Sequence, residues 1–165
     1  MSGRRALVLG GGGITGAAWE IGLMAGLAEV GVDLTTADLV VGTSAGSVAG
    51  AQILSGVALE KLYDAQLREP KGEIPANLGR GKLLRFMLMM AWPGDEGRAR
   101  ARLGRAAMKA DTIPESMRLQ VIASRLPSTV WPDRTLLITA VNAETGELRV
   151  FDRASGVPLL EAVAA

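Results

Sequence analysis

Two short glycine-rich segments carry the residue types and spacing from which chemistry can be predicted. Residues 42–46 read GTSAG, which fits the pattern G-x-S-x-G. In a sharp turn from strand to helix, this pattern strains the serine backbone and makes the hydroxyl project. The hydroxyl of Ser44 would then lie at a helix N-terminus, where backbone N–H groups favour developing negative charge. The pattern predicts a serine nucleophile for acyl transfer, and the alternative is a helix cap formed by Ser44.

The first segment, residues 10–16, reads GGGGITG and has two interpretations. Its G-x-G-x-x-G pattern is formed by Gly11, Gly13 and Gly16. One interpretation is a dinucleotide-binding turn that places a pyrophosphate at a helix N-terminus, with Asp33 or Asp38 near the spacing of a ribose-binding acid. The other is an oxyanion hole made of glycine N–H groups. Only the second interpretation also explains the GTSAG segment, although both remain open on these residues.

Composition limits the chemistry further. The 165 residues contain no histidine and no cysteine, so a Ser-His-Asp triad, a disulfide and a thiolate metal site are all excluded within this sequence. Apolar residues make up 48% and charged residues 21%, which is typical of a globular chain of one domain. A net charge of +1, without interleaved aromatic and basic residues, gives no reason to expect nucleic acid.

The elements around the two segments predict how they meet. Residues 5–9 and 38–41 have the apolar content of short buried strands, and each is followed by a glycine segment. The apolar spacing in residues 14–30 and the small residues in 45–54 predict two helices. Alternation of strand and helix predicts parallel strands in an α/β fold. We therefore expect the two glycine segments to face one another across the ends of these strands.

The remainder of the chain is predicted to complete one domain over residues 1–165. Two further strands, residues 135–141 and 147–151, are expected to form a hairpin around the turn-forming sequence NAETG. Further helices are predicted at residues 59–68, 82–92, 95–109, 114–125 (capped by Asp111) and 159–165.

The order of strand, GGGxxG, helix, strand and GTSAG resembles the patatin-like phospholipase family. The resemblance implies a three-layer α/β/α fold with a mainly parallel sheet, and a Ser–Asp dyad that cleaves lipid esters without histidine, metal or cofactor. By motif position, it implies Ser44 as the nucleophile and Gly11, Gly12 and Gly13 as donors to the oxyanion. The corresponding motif glycines of the second segment are Gly42 and Gly46. The resemblance continues with lower specificity through residues 136–151 and 156–165.

Two departures from the family pattern affect the expected activity. Thr15 stands where the family often has Arg or Lys, so a head-group contact is not expected there. None of the seven Asp residues is followed by Gly, whereas the family takes its base from an Asp-Gly turn after a helix resembling residues 159–165. We therefore expect the catalytic Asp to lie outside residues 1–165, and this segment alone to be nearly inactive. Asp152 is the substitute candidate, although its DRASG sequence also suits an ordinary turn.

Partners and location follow from the same resemblance. The expected partner is a lipid or acyl-ester substrate, and the expected location is cytoplasmic with peripheral membrane contact. Residues 82–92, which contain three Met, suit an acyl-chain wall, a membrane-contact lid or an internal core helix. The four arginines of the next predicted helix suit either anionic head groups or a solvated face; they are Arg98, Arg100, Arg102 and Arg105. A non-catalytic lipid-binding protein is a third hypothesis.

Overall fold

The computed structural model describes residues 3–68, 95–110 and 113–165. Its strands are β1 (Ala6–Leu9), β2 (Leu39–Thr43), β3 (Thr135–Val141) and β4 (Leu148–Phe151). Its helices are α1 (Gly13–Glu29), α2 (Ala45–Ile53), α3 (Leu59–Gln66), α4 (Glu96–Met108), α5 (Glu115–Arg125) and α6 (Leu159–Ala164). Each of these elements was predicted from the sequence with bounds that differ by a few residues. The predicted helix over residues 82–92 and the cap at Asp111 lie outside the described residues.

The four strands form one sheet in the order β1-β2-β3-β4. The first three strands are parallel and β4 is antiparallel to β3. Leu9 is paired with Gly42, and Gly42 is paired with Ile138, so the carboxyl ends of the three parallel strands meet at one edge. The expected mixed α/β fold is confirmed, and the loops that follow β1 and β2 leave the sheet side by side.

Helix α2 covers one face of the sheet because its residues are small. Every residue of α2 is buried. A Cβ added at Gly50 would lie 3.1 Å from the side chain of Leu136 and 3.2 Å from that of Val40, so the helix backbone approaches the sheet closely. Helix α1 packs in turn against α2 and α3, with Ile21 and Met24 in the core. This packing fixes α2, whose first residue follows Ser44.

Helix α4 packs against the β3–β4 hairpin. The hairpin turn is closed by the Asn142 side chain, whose oxygen accepts the N–H groups of Glu144 and Thr145. Arg100 donates from Nε to the Gly146 carbonyl over 2.9 Å, and Arg105 donates to the Glu144 carbonyl. Two of the four arginines considered for head-group binding therefore donate hydrogen bonds to the hairpin turn. Among the helices that the structure describes, none has both the length and the apolar character needed to cross a bilayer.

Candidate active site

Ser44 lies at the junction between β2 and α2 in a strained backbone conformation. Its φ is 54° and its ψ is −112°, and no other non-glycine residue in the described ranges has a positive φ. Such a conformation costs about 1–3 kcal/mol and persists only where the surrounding structure holds it. The residue is exposed rather than packed into the core. The strained turn that the sequence predicted for Ser44 is confirmed.

The two glycines that flank Ser44 are required by close packing. A Cβ added at Gly42 would lie 2.5 Å from the carbonyl oxygen of Gly46. A Cβ added at Gly46 would lie 2.3 Å from the carbonyl oxygen of Leu9. Real Cβ atoms do not approach backbone atoms this closely, so larger residues would push α2 away from β1 and β2. The G-x-S-x-G spacing therefore reflects how closely α2 crosses the ends of the two strands.

The two glycine segments face one another, as the sequence predicted. The N–H of Gly46 donates to the Gly10 carbonyl over 2.9 Å. A Cβ added at Gly11 would lie 3.8 Å from the Cβ of Ser44. Within the described ranges, the N–H groups of Gly11 and Gly12 have no protein acceptor. Gly13 begins α1, so its N–H belongs to the unpaired first turn of that helix. The predicted oxyanion donors thus follow one another along the loop that passes beside Ser44.

A cavity of about 890 Å³ opens beside Ser44. Its apolar lining comes from five helices and includes Ile14, Ala17, Val48, Val121 and Ile122. Arg118 and Arg125 add charge to the lining on the α5 side. This lining could not be predicted from the sequence, because α5 begins some seventy residues after the second glycine segment and only folding brings it to Ser44. The cavity therefore places both aliphatic and cationic side chains next to the strained serine.

The hydroxyl of Ser44 has no hydrogen-bond partner among the described residues, and the candidate base Asp152 is directed elsewhere. The Asp152 side chain accepts from the backbone N–H and the hydroxyl of Ser155 and caps a short helix, Arg153–Ser155. Asp152 follows β4, which lies two strands from β2, or about 10 Å at the usual strand spacing. Because β4 runs antiparallel to β3, its end also points away from the edge at which Ser44 lies. The structure therefore gives Asp152 a capping role.

The two acids considered for ribose binding lie at the opposite end of the sheet. Asp38 precedes β2, and its carboxylate accepts the N–H of Arg5 over 2.7 Å. Asp33 accepts the hydroxyl and the N–H of Thr35. These hydrogen bonds lower the pKa of each carboxyl below its ordinary value. Both carboxylates therefore accept hydrogen bonds from neighbouring residues at the amino end of β2. The glycine loop follows the carboxyl end of β1, at the opposite edge of the sheet. This separation does not support a dinucleotide site.

Glu20 is a buried acid that the sequence analysis missed. Its side chain is 7% exposed, and Oε1 accepts the N–H of Gly10 over 2.7 Å. Burial raises the pKa of this carboxyl, although the Gly10 N–H partly offsets that rise. Oε2 has no hydrogen-bond partner in the described part of the chain. The burial of Glu20 could have been predicted from its spacing, because it lies three residues after Ala17 and four before Met24 on the apolar side of α1.

The raised pKa of Glu20 predicts a specific dependence of stability on pH. The folded state binds this proton more tightly than the unfolded state, in which a glutamate carboxyl has a pKa of about 4.3. The resulting stabilisation is complete below that value and is lost as pH rises through the raised pKa. We expect the free energy of unfolding of the natural protein, minus that of Glu20→Gln, to fall as pH rises through this window. Urea unfolding at several pH values measures the difference, and a difference that increases with pH would contradict the prediction.

The described residues include no group of three or more acidic, histidine or cysteine side chains that could hold a metal ion.

Comparisons with known proteins identify the family of the chain and support its fold. The family model for patatin-like phospholipases matches residues 7–165. The fold is similar to that in the crystal structure of the type III effector protein ExoU, with 22% identity and a TM-score of 0.50. That alignment covers 98% of this chain but only 39% of the ExoU chain, and at this identity it supports the fold alone. No curated protein matched the sequence. Because the family model matches nearly the whole sequence, the chain belongs to the patatin-like phospholipase family.

Proposed function

We propose that the protein is a lipid acyl hydrolase in which Ser44 is the nucleophile. The observation that carries the proposal is the strained Ser44 at the start of α2, held beside a glycine loop in which the N–H groups of Gly11 and Gly12 have no acceptor among the described residues. Strain of this kind is typical of nucleophilic serines on strand-to-helix turns. Family membership supports the choice of lipid esters as the substrate class. This chain covers only 39% of the ExoU chain, so hydrolysis by the whole protein is part of the proposal.

The proposed reaction has two steps. The Oγ of Ser44 attacks the ester carbonyl carbon as its proton passes to a base, and the oxyanion that forms accepts N–H groups of Gly11, Gly12 and Gly13. The carbon–oxygen bond to the alcohol then breaks, the alcohol leaves with the proton, and an acyl-serine ester remains. Water gives a proton to the same base and attacks this ester. The bond between the acyl carbon and Oγ then breaks, Oγ takes the proton from the base, and the fatty acid is released. By resemblance to the family we propose an aspartate as the base, and none of the described carboxylates contacts Ser44.

The cavity beside Ser44 supports an apolar acyl group as the part of the substrate that binds. Apart from Gln52, its walls on α1 and α2 are formed by small or aliphatic side chains such as Ala17, Ala18 and Val48. An apolar chain that leaves water for such a space gains about 0.8 kcal/mol for each CH₂ that is buried. We propose that the acyl chain lies in this cavity while its carbonyl carbon faces Ser44.

A fluorophosphonate probe tests the nucleophile directly. The full-length protein is expected to be labelled at Ser44, and Ser44→Ala is expected to lose all labelling. Ser47→Ala is the matched control, because Ser47 lies one turn further along α2 and is only 1% exposed. This control should be labelled like the natural protein. The site of labelling is read by mass spectrometry of the peptide that contains residues 42–46.

Three outcomes would contradict the proposal. Labelling that persists in Ser44→Ala would place the nucleophile elsewhere. Saturable binding of NAD or FAD by an unlabelled protein would favour the dinucleotide alternative. Binding of fatty acid by a full-length protein that neither reacts with the probe nor hydrolyses p-nitrophenyl esters would favour a non-catalytic lipid-binding protein.

A further inference from the structure

Gly10 is held by hydrogen bonds on both sides of its Cα. Its N–H donates to the buried Oε1 of Glu20 over 2.7 Å. Its carbonyl accepts the N–H of Gly46 over 2.9 Å. The first bond connects the end of β1 to α1, and the second connects it to the beginning of α2. Gly10 is therefore the point at which both helices of the site contact the loop that carries the proposed oxyanion donors.

These two bonds set the direction of the Gly11 N–H. A trans peptide is planar, so the Gly11 N–H points opposite to the Gly10 carbonyl in the same peptide unit. The carbonyl direction is fixed by Gly46, and the preceding peptide is fixed by Glu20. Glycine has no Cβ to restrict its torsions, so without these bonds Gly10 would have several accessible orientations. Loss of either bond would therefore let the Gly11 N–H leave its present orientation in the loop that passes Ser44.

The environment of Glu20 indicates that its main contribution is to orientation. A carboxyl group that is 7% exposed costs free energy to bury, and here one of its oxygens has no partner among the described residues. The other oxygen makes its one hydrogen bond to the backbone of Gly10. An apolar side chain of similar size would fill the same space without that burial cost. An apolar side chain could not accept the Gly10 N–H, so this hydrogen bond is the contribution that is specific to glutamate.

We infer that Glu20 is a positioning residue that holds Gly10, and through it the Gly11 N–H, in the orientation in which that N–H donates to the oxyanion. The inference depends on the proposed function, because it assigns Glu20 to the reaction at Ser44. It adds a residue on α1 that does not touch the substrate. It also predicts a kinetic signature, since an oxyanion donor acts on the transition state more than on the bound substrate.

The test uses three variants of the full-length protein in hydrolysis of a p-nitrophenyl ester. Glu20→Met removes the acceptor at similar volume, and we expect kcat to fall by about 10²-fold with KM nearly unchanged. Glu20→Gln keeps an acceptor oxygen and is expected to restore most of kcat. Asp38→Leu is the matched control, because Asp38 accepts the N–H of Arg5 over the same 2.7 Å at the other end of β1. This control should keep the natural kcat.

A spectroscopic measurement separates orientation from loss of folding. The amide proton of Gly10 should move upfield in the NMR spectrum of Glu20→Met and stay near its natural position in Glu20→Gln. If circular dichroism shows that Glu20→Met does not fold, Glu20→Asp replaces it. Aspartate is one methylene shorter and cannot reach Gly10 from the same backbone position, so the same loss of kcat is expected.

Each remaining outcome counts against a particular claim. A folded Glu20→Met or Glu20→Asp variant with natural kcat, or with a raised KM alone, overturns the inference while leaving Ser44 as the nucleophile. Equal losses in Glu20→Gln and Glu20→Met would also overturn it, because the acceptor oxygen would not be what matters. A natural protein that fails to react with the fluorophosphonate probe overturns the proposed function, and the role of Glu20 in that reaction fails with it.

Discussion

Replacement of Gly46 with alanine is expected to lower the free energy of unfolding by about 3–5 kcal/mol. The added Cβ would lie 2.3 Å from the Leu9 carbonyl oxygen and 2.7 Å from the Leu9 Cβ. These atoms belong to a strand backbone and a core side chain, so neither can move without separating α2 from β1. The N–H of Gly46 would also lose its 2.9 Å bond to Gly10 as the helix shifts. Urea unfolding, followed by circular dichroism, measures the change.

Gly26→Ala is the matched control for this prediction. Gly26 lies inside α1, and a Cβ added there would meet no atom within 4 Å. Alanine favours a helix interior over glycine by about 1 kcal/mol, so this variant should be slightly more stable than the natural protein. The two alanine substitutions thus have opposite expected signs. A Gly46→Ala variant as stable as Gly26→Ala would show that α2 does not cross β1 as closely as described.

The glycine segments were the part of the fold that the sequence specified best. Both follow short apolar strands, and parallel strands place such loops at a common edge, so their meeting was predictable without coordinates. The hairpin around Asn142 was predictable for a similar reason, because its turn chemistry is local. These features depend on residues close together in the chain, and hydrophobic periodicity reports directly on such residues.

Contacts between distant segments were not predictable in this way. The charge pattern of α4 indicated a solvated face or a lipid contact, yet Arg100 donates to the Gly146 carbonyl of the hairpin. Arg118 and Arg125 lie on α5 and reach the cavity beside Ser44 only through tertiary packing. The position of Asp152, by contrast, follows from the predicted hairpin, because an antiparallel β4 ends away from the edge at which Ser44 lies. Parallel strands need a long crossover connection, so the short turn between β3 and β4 makes these strands antiparallel.

The strain at Ser44 leads to the second large prediction, in which activity and stability change in opposite directions. Ser44→Gly removes the hydroxyl and also the Cβ that is unfavourable at φ 54° and ψ −112°. We expect hydrolysis by the full-length protein to fall to background. We also expect the free energy of unfolding to rise by about 1 kcal/mol, since relief of about 1–3 kcal/mol of strain exceeds the entropic cost of glycine.

Ser44→Ala separates the two effects, because it removes the hydroxyl and keeps the Cβ. This variant should lose hydrolysis as completely as Ser44→Gly, while its stability stays within about 0.5 kcal/mol of the natural protein. Ester hydrolysis and urea unfolding of both variants provide the comparison. Equal stabilities of Ser44→Gly and Ser44→Ala would mean that the turn holds Ser44 without strain. Hydrolysis retained by either variant would mean that another residue attacks the ester. A gain in stability confined to Ser44→Gly, with activity lost in both, is the result expected if the fold maintains this strain in order to present the nucleophile.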